Sequence, residues 1–198
     1  LAGGMRLNTI DIRLARLAQN GDQEAFAELI ERYKDKIYRL GYRMLGNQQE
    51  AEDITQETFL RVHMNLEKYD GKHKFSTWIF RIGTNLCIDR MRKKRLAAYS
   101  LDAQIGDEEG TDGYSFVQSK DDSPENQVIL SESQQRVRRI IDDLPEKYKS
   151  VIILFYLHDF SIKEISDVVE MPVATVKTRL HRGRELLRKK LKKDNLLS

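Results

Sequence analysis

Apolar side chains recur at alternating intervals of three and four residues along much of this chain, and that spacing constrains its fold more than any other feature. The clearest stretch begins at Gly21-Asp22, ends at Gly46 and carries Phe26, Leu29, Ile30, Tyr33, Ile37, Leu40, Gly41 and Met44. This is the period of an α-helix with one buried face, and Asp before it and Gly after it are typical helix ends. Because the 198 residues include only 3 prolines, long helices are possible. The sequence therefore predicts an all-α fold.

The same reasoning predicts further helices, which begin near Gln49, Ser76, Ser123-Pro124, Pro145, Ser161 and Val173. The helix that begins near Gln49 ends near Lys68, the one from Ser76 ends near Lys94, and the one from Val173 ends near Lys192. Ser161 and Glu164 have the spacing of a capping box, and Met171-Pro172 ends the helix that they begin. Gly183 is predicted to allow close packing of the last helix against the preceding one. The predicted buried stripe of the last helix is Val173, Val176, Leu180, Gly183, Leu187 and Leu191.

Charge is segregated along the chain, although the net charge is only +3. Residues 72–95 contain 8 Lys or Arg and 1 acid, residues 171–193 contain 9 and 1, and residues 101–125 contain 8 acids and 1 Lys. Two basic helices suggest two contacts with one polyanion, and solvated helix faces are the alternative. The acidic stretch is interpreted as a flexible linker over residues 96–122. It divides the chain into two small helical domains, 6–95 and 123–193.

The end of the chain has the pattern of a helix-turn-helix, in which a short helix and a tight turn precede a basic helix. The first turns of such a basic helix enter the major groove of DNA. Lys177, Thr178, His181 and Arg182 are predicted to face base edges, while Arg179 and Arg184 are placed for phosphates. An exposed His181 without a function is the alternative for that residue.

Aromatic and basic side chains are interleaved between residues 69 and 95. Rings that stack on bases, beside cations that follow the backbone, are typical of sites for single-stranded nucleic acid. Tyr69, in a Lys-Tyr-Asp-Gly loop, is expected to be exposed, whereas burial in the core is the favoured alternative for Phe75 and Trp78. Asn85, one turn after Arg81, can read a base edge. Arg92 belongs to the basic run that follows.

The motifs of the common enzyme classes do not occur in the sequence. It contains no GxxxxGK[ST], paired CxxC, HExxH or GxSxG, so we expect neither catalysis nor a cofactor or metal. The single cysteine, Cys87, and the lack of an 18-residue apolar run favour a reducing, cytoplasmic location. A regulator that binds DNA alone through its helix-turn-helix and a helical adaptor that binds only proteins are alternatives to a chain that holds both duplex and opened DNA.

Three segments, taken together and in this order, resemble the extracytoplasmic-function sigma factors of bacterial RNA polymerase, with the greatest similarity to the sigma-W type. They are YKDKIYRLGYRMLGNQQEAEDITQETFLRV, KFSTWIFRIGTNLCIDRMRKK and LPEKYKSVIILFYLHDFSIKEISDVVEMPVATVKTRLHRGRELLRKKL. The resemblance implies that residues 6–95 form sigma domain 2, which opens the −10 element of a promoter. It implies that residues 123–193 form sigma domain 4, which reads the −35 element.

The resemblance also implies roles for individual residues. The −10 site would comprise Tyr69, Phe75, Trp78, Arg81, Asn85 and Arg92, and the −35 site Lys177, Thr178, Arg179, His181, Arg182 and Arg184. The contact with core polymerase would comprise Glu50, Asp53, Gln56 and Glu57. The implied partners are core RNA polymerase (its β′ clamp helices and β flap), promoter DNA and a membrane-anchored anti-sigma factor, in an envelope-stress response and without a small-molecule ligand.

Overall fold

The computed structural model describes the backbone of residues 2–102 and 138–195, and the side-chain surroundings of residues 9–97 and 138–192. Regular structure in these ranges is helical and includes no strand, which confirms the all-α prediction. None of the helices in these ranges combines the length and the apolar character that crossing a membrane requires. The elements are α1 (Ala2–Gln19), α2 (Gln23–Leu45), α3 (Gln48–Asn65), a 3₁₀ turn (Leu66–Lys68), α4 (Phe75–Asp102), α5 (described over 138–142), α6 (Glu146–Tyr156), α7 (Ile162–Val168) and α8 (Val173–Asn195).

Local hydrogen bonds set the ends of α2 and the start of α7 where the sequence predicts them. Asp22 Oδ1 accepts a hydrogen bond from Ala25 N at 3.0 Å, and Gly46 ends α2 with φ 73°. A residue other than glycine would be strained in that left-handed conformation. At α7, the predicted capping box forms between Ser161 and Glu164. These ends depend on contacts within a few residues of the chain, and so they are legible in the sequence.

The N-terminal half is a bundle in which α2, α3 and α4 surround an apolar core and α1 packs across α2. Gly41 allows α2 and α3 to approach closely, because a Cβ there would lie 3.2 Å from Ala51 Cα. Burial of a large apolar side chain contributes about 1.5–3 kcal/mol, so this core is the main source of stability of the half. Its fully buried members include Leu29, Ile37, Leu40, Met44, Ile54, Val62, Phe75 and Ile79.

In the C-terminal half, α8 packs against both α6 and α7. Close packing at Gly183 is confirmed, but the helix that it approaches is α6 rather than α7: a Cβ on Gly183 would lie 3.0 Å from Ile152 Cγ1. Val176 and Leu180 are buried as predicted, whereas the prediction for Val173 is wrong, because this first residue of α8 is exposed beyond the end of the packed face.

Helix α4 is longer than predicted and continues through Asp102 instead of ending near Lys94. Residues 96–102, the start of the segment interpreted as a linker, are therefore helical. The rest of that segment and the predicted helix start at Ser123-Pro124 lie outside the described residues.

The two halves touch each other, which the sequence analysis does not predict. Helix α4 packs against α6 and α7, and α2 packs against α6. The Phe80 ring of α4 lies 4.8 Å from the Phe160 ring and 4.9 Å from the His158 ring, measured between centroids. The N-terminal half thus presents two faces of α4, one to its own core and one to the C-terminal half.

Candidate nucleic-acid and polymerase interfaces

Helices α7 and α8 are joined by a tight turn over residues 169–172. Glu170 lies in the left-handed region with φ 51°, and the Ser166 hydroxyl donates a hydrogen bond to the Met171 carbonyl across the turn. Two helices held by such a short turn form the predicted helix-turn-helix, with α8 as its second helix.

The outward face of α8 carries the side chains that are predicted to reach the −35 element. Arg179 is half-buried, and Thr178 Oγ1 donates to the Ala174 carbonyl at 3.0 Å. This bond leaves the lone pairs of the hydroxyl oxygen free to accept another. The exposed members of the predicted set are Lys177, Thr178, His181, Arg182 and Arg184.

Among the residues whose side chains are described, the lysines and arginines of this face lack acidic partners. Within the ranges whose side chains the structure describes, no ion pair involves Lys177, Arg179, Arg182 or Arg184. His181 differs, since its Nε2 lies 3.6 Å from Glu185 Oε1. Cations without acidic partners, at the centre and on both flanks of the exposed side of one helix, create a positive surface suited to the phosphate backbone of DNA.

The loop before α4 places its aromatic side chains inward rather than outward. The expectation that Tyr69 is exposed is wrong: it is 6% exposed, and its hydroxyl donates to the His73 carbonyl at 2.8 Å. Phe75 is buried, in agreement with the core interpretation, and Trp78 is half-buried. Ring centroids lie 5.4 Å apart for Tyr69 and Phe75 and 5.2 Å apart for Tyr69 and Trp78. Mutual packing of these three rings explains why the Tyr69 side chain is buried.

A side chain from α1 holds this loop in place. Gln19 Nε2 donates to the carbonyls of Leu66 and Tyr69, both at 2.8 Å. The sequence analysis missed Gln19 because its partners lie 47 and 50 residues further along the chain. Helix α1 therefore contributes to the shape of the candidate −10 site.

The three polar members of the candidate −10 set have different surroundings. Asn85 is exposed, and Arg92 forms an ion pair with Asp89 at 2.7 Å. Arg81 Nε donates to the Asp167 carbonyl at 2.9 Å, and its guanidinium lies 3.5 Å from Glu170 Oε1. Both partners of Arg81 belong to the C-terminal half, so that in this conformation Arg81 is occupied.

The acidic face of α3 is partly used inside the bundle. Glu50 is paired with Lys94 and lies 3.6 Å from Arg90, while Asp53 lies 3.9 Å from Arg90. Glu50 thus has a structural role in the bundle, and its side chain is only 15% exposed. Glu50 joins α3 to α4.

Further along α3, the exposed surface combines polar and apolar side chains. Gln56 is exposed, and Glu57 is half-buried and paired with Arg61 at 2.7 Å. Leu60 and Met64, one and two turns after Gln56, are 55% and 71% exposed. Exposed apolar side chains beside polar ones are typical of protein interaction sites. Leu60 and Met64 are not part of the predicted polymerase contact. Neither fits the buried stripe of α3, and that misfit is the signal in the sequence that could have identified them.

His158, which packs on Phe80 of α4 at the contact between the halves, has an altered pKa. Burial lowers the pKa of His158 to about 4, and Arg39 acts in the same direction. His158 Nε2 is buried without a hydrogen-bond partner. Within the described ranges, no three His, Cys, Asp or Glu side chains come together in a way that could hold a metal ion.

Sequence comparison assigns each half to a known module. The family described as Sigma-70 region 2 matches residues 29–97, and the family described as Sigma-70, region 4 matches residues 134–187. The chain is 49% identical over 174 residues to the ECF RNA polymerase sigma factor SigW of Bacillus subtilis (strain 168), a match that covers 88% of this chain and 92% of that protein.

Comparison with solved structures gives the same fold. The structure of CnrH in complex with the cytosolic domain of CnrY matches with a TM-score of 0.68 and 24% identity, over 93% of this chain and 99% of that one. The sigma factor RpoE of Bartonella quintana, solved with the anti-sigma factor NepR, matches with a TM-score of 0.66 and 20% identity, over 84% and 96% of the two chains. With both modules in order and close identity to a full-length relative, the chain belongs to the extracytoplasmic-function sigma factors of bacterial RNA polymerase.

Proposed function

We propose that this sigma factor binds core polymerase through α3, reads the −35 element of a promoter through α8 and holds the opened −10 strand with α4 and the loop before it. The observation that carries this proposal is the group of cations around the exposed side of α8, because Lys177, Arg179, Arg182 and Arg184 form no ion pair within the described residues.

At the −35 element, Lys177, Thr178, His181 and Arg182 meet base edges in the major groove. Arg179 and Arg184 flank them and contact phosphates, which sets the position of α8 on the duplex. The contact of His181 with Glu185 supports a base-edge role, since a carboxylate beside an imidazole orients the ring.

At the −10 element, Asn85 and Arg92 are exposed on α4, and Trp78 is half-buried. The buried rings of Tyr69 and Phe75 form the floor of the loop before α4. A base that has left the duplex can stack on these rings only when the loop opens. Stacking contributes about 1–3 kcal/mol per base, similar to the cost of unstacking one.

For core polymerase, the surface of α3 that includes Asp53, Gln56 and Glu57 contacts the β′ clamp helices, and Leu60 and Met64 extend it. Glu50 supports this surface by fixing α4 against α3. The C-terminal half contacts the β flap. The chain contributes promoter choice and strand opening, and no catalytic step is assigned to it.

The solved relatives also suggest how this activity is controlled. RpoE of Bartonella quintana is solved with an anti-sigma factor. We propose that this chain is likewise held by an anti-sigma factor, which is anchored in the membrane, that it works in the cytoplasm with polymerase, and that it serves an envelope-stress response.

The test is run-off transcription with purified core polymerase on a panel of promoters, with and without this chain. We expect defined transcripts from a subset of promoters only when the chain is present. A chain that associates with core polymerase but does not change the start sites would contradict the proposal.

A further inference from the structure

One surface of α4 faces the C-terminal half and packs against α6 and α7. Phe80 packs on Phe160 and His158, and Thr84 and Cys87, one and two turns further along the same face, are fully buried. Burial raises the pKa of the Cys87 thiol to about 12, while Arg90 and, from α6, Lys149 act in the opposite direction. Cys87 therefore lies beneath the C-terminal half, close to α6.

At the N-terminal end of this surface, cations meet acceptors from α7 and the turn after it. Lys74 Nζ lies 2.6 Å from Glu164 Oε1, and His73 Nδ1 lies 3.5 Å from Asp167 Oδ2. Arg81 contacts the Asp167 carbonyl and the Glu170 carboxylate. The three acidic residues, Glu164, Asp167 and Glu170, recur every third position, and they face the cations of the loop before α4 and of its first turns.

The acceptor groups of α7 and its following turn resemble, in their chemistry, the phosphate groups of a nucleic-acid backbone. Carboxylate and carbonyl oxygens accept from ammonium and guanidinium groups in the way that phosphate oxygens do. Of the cations that they occupy, Arg81 belongs to the −10 set given above, and Lys74 lies in the loop before α4, which is also proposed to hold the opened −10 strand. An acceptor that occupies Arg81 in this way excludes a phosphate from the same position.

We propose that α7 and its following turn act as an internal mimic of the DNA backbone, which occupies Lys74 and Arg81 until single-stranded DNA displaces it. The inference rests on the proposed −10 function of this surface and adds the identity of its competitor. The apparent affinity for single-stranded DNA is then reduced by the fraction of molecules in which the halves are closed. Because the pairs are partly exposed, each is individually weak and screened by salt, and polyanions can release them.

The test compares two substitutions with the same change of charge on exposed acids. Glu170→Lys places a cation beside Arg81, while Asp143→Lys makes the same change at an acid whose partner is Lys190 of α8 rather than Lys74 or Arg81. Two measurements are made on the full chain: binding of fluorescent single-stranded DNA of randomised sequence, and the rate at which Cys87, the single cysteine, reacts with a thiol reagent.

We expect Glu170→Lys to raise both DNA affinity and the Cys87 reaction rate by about tenfold, because the closed fraction falls. We expect Asp143→Lys to leave the Cys87 rate unchanged and to raise affinity by less than about twofold, as an added surface charge does. Glu170→Gln, a milder change that keeps the fold if the reversal does not, should shift both quantities in the same direction by a smaller factor.

Two outcomes would overturn the mimic: equal DNA affinity in the Glu170 and Asp143 variants, or a Glu170 variant in which Cys87 becomes reactive while DNA affinity stays at the wild-type level. Arg81→Ala in the Glu170→Lys background separates this inference from the proposed function. It should abolish the gain in DNA affinity and keep the fast Cys87 reaction. If Arg81→Ala leaves the gain in place, the −10 role of Arg81 fails, whatever α7 does.

Discussion

Glu50 shows how one carboxylate can serve the fold at a position where the family places a partner contact. It is mostly buried and meets two cations of α4, Lys94 and Arg90. A partly buried acid with two cationic partners is costly to neutralise, because both partners lose their counter-charge. At the scale of single residues, burial and pairing thus decide which acids of α3 are free for the proposed contact with polymerase.

Glu50→Gln should lower the free energy of unfolding by about 1 kcal/mol, since it removes the charge that Lys94 and Arg90 face. Urea denaturation measures this change. Glu52→Gln is the matched control, since Glu52 is exposed on the same helix and accepts a hydrogen bond from Gln48. An unchanged urea midpoint together with weaker polymerase binding would instead make Glu50 a direct contact.

Arg182→Ala should cost about 1–3 kcal/mol of binding at one −35 position and relax the preference there, because a base-edge contact is lost. Binding of duplex promoter variants to the holoenzyme, in which every −35 position is changed in turn, measures this cost. Lys189→Ala is the control for a cation further along α8, and it should weaken all promoters alike. Uniform weakening by Arg182→Ala would assign Arg182 to the phosphate contacts.

At the scale of elements, α3 carries an exposed apolar pair that its own bundle does not use. Leu60 and Met64 are neighbours one turn apart, and the buried stripe of the helix lies on another face. Apolar side chains at the centre of an interface commonly carry much of its binding energy.

Met64→Asp should reduce affinity for core polymerase at least tenfold, or about 1.4 kcal/mol, while the urea midpoint stays within error. Co-elution or fluorescence titration with core polymerase measures the affinity. Leu96→Asp on α4 changes an equally exposed apolar side chain outside this surface and should have little effect. Equal losses in both variants would show that general surface polarity, rather than α3, governs binding.

The elements that could be predicted from the sequence are those whose determinants lie within a few residues. Asp22, Gly46 and the capping box at Ser161 are examples, as is the exposed basic face of α8, since its period is read from one helix. The surroundings of Tyr69 and Glu50 could not be predicted in this way. Tyr69 is buried with rings of α4 in a loop that Gln19 holds, and Glu50 is paired with Lys94, 44 residues away. Such contacts depend on how helices cross, which helical periodicity does not specify.

At the scale of the whole molecule, the contact between the halves buries a histidine in an apolar site, and burial lowers its pKa. His158 lies against Phe80 of α4, and the charged groups nearest to it are Arg39, Lys36 and Arg43 of α2 and Asp159 of its own loop. Protonation would place a cation among three others, in a site where Nε2 has no acceptor.

The pKa of His158 is lowered by burial from its ordinary value of 6.5 to about 4. Above pH 6.5 the imidazole is neutral in the folded and the unfolded chain, and its contribution to stability is complete. As the pH falls from there towards 4, the unfolded chain takes up the proton first, so stability decreases by about 1.4 kcal/mol per pH unit.

Denaturation of wild type and of His158→Leu over this pH range measures the effect as a difference, since carboxylates titrate alike in both. We expect the variant to lose less stability on acidification. Parallel curves for the two proteins would show that His158 does not couple the contact to pH.

The continuous helix from Phe75 to Asp102 has a consequence for how such a chain can change in length. A helix advances about 1.5 Å and turns about 100° with each residue, so an insertion after Arg95 redirects the outgoing chain far more than it displaces it. Deletions of whole turns preserve the direction in which the helix ends, whereas two single-residue changes rotate that end by about 200°. Natural variation in the length of this part of α4 should therefore favour steps of three, four or seven residues.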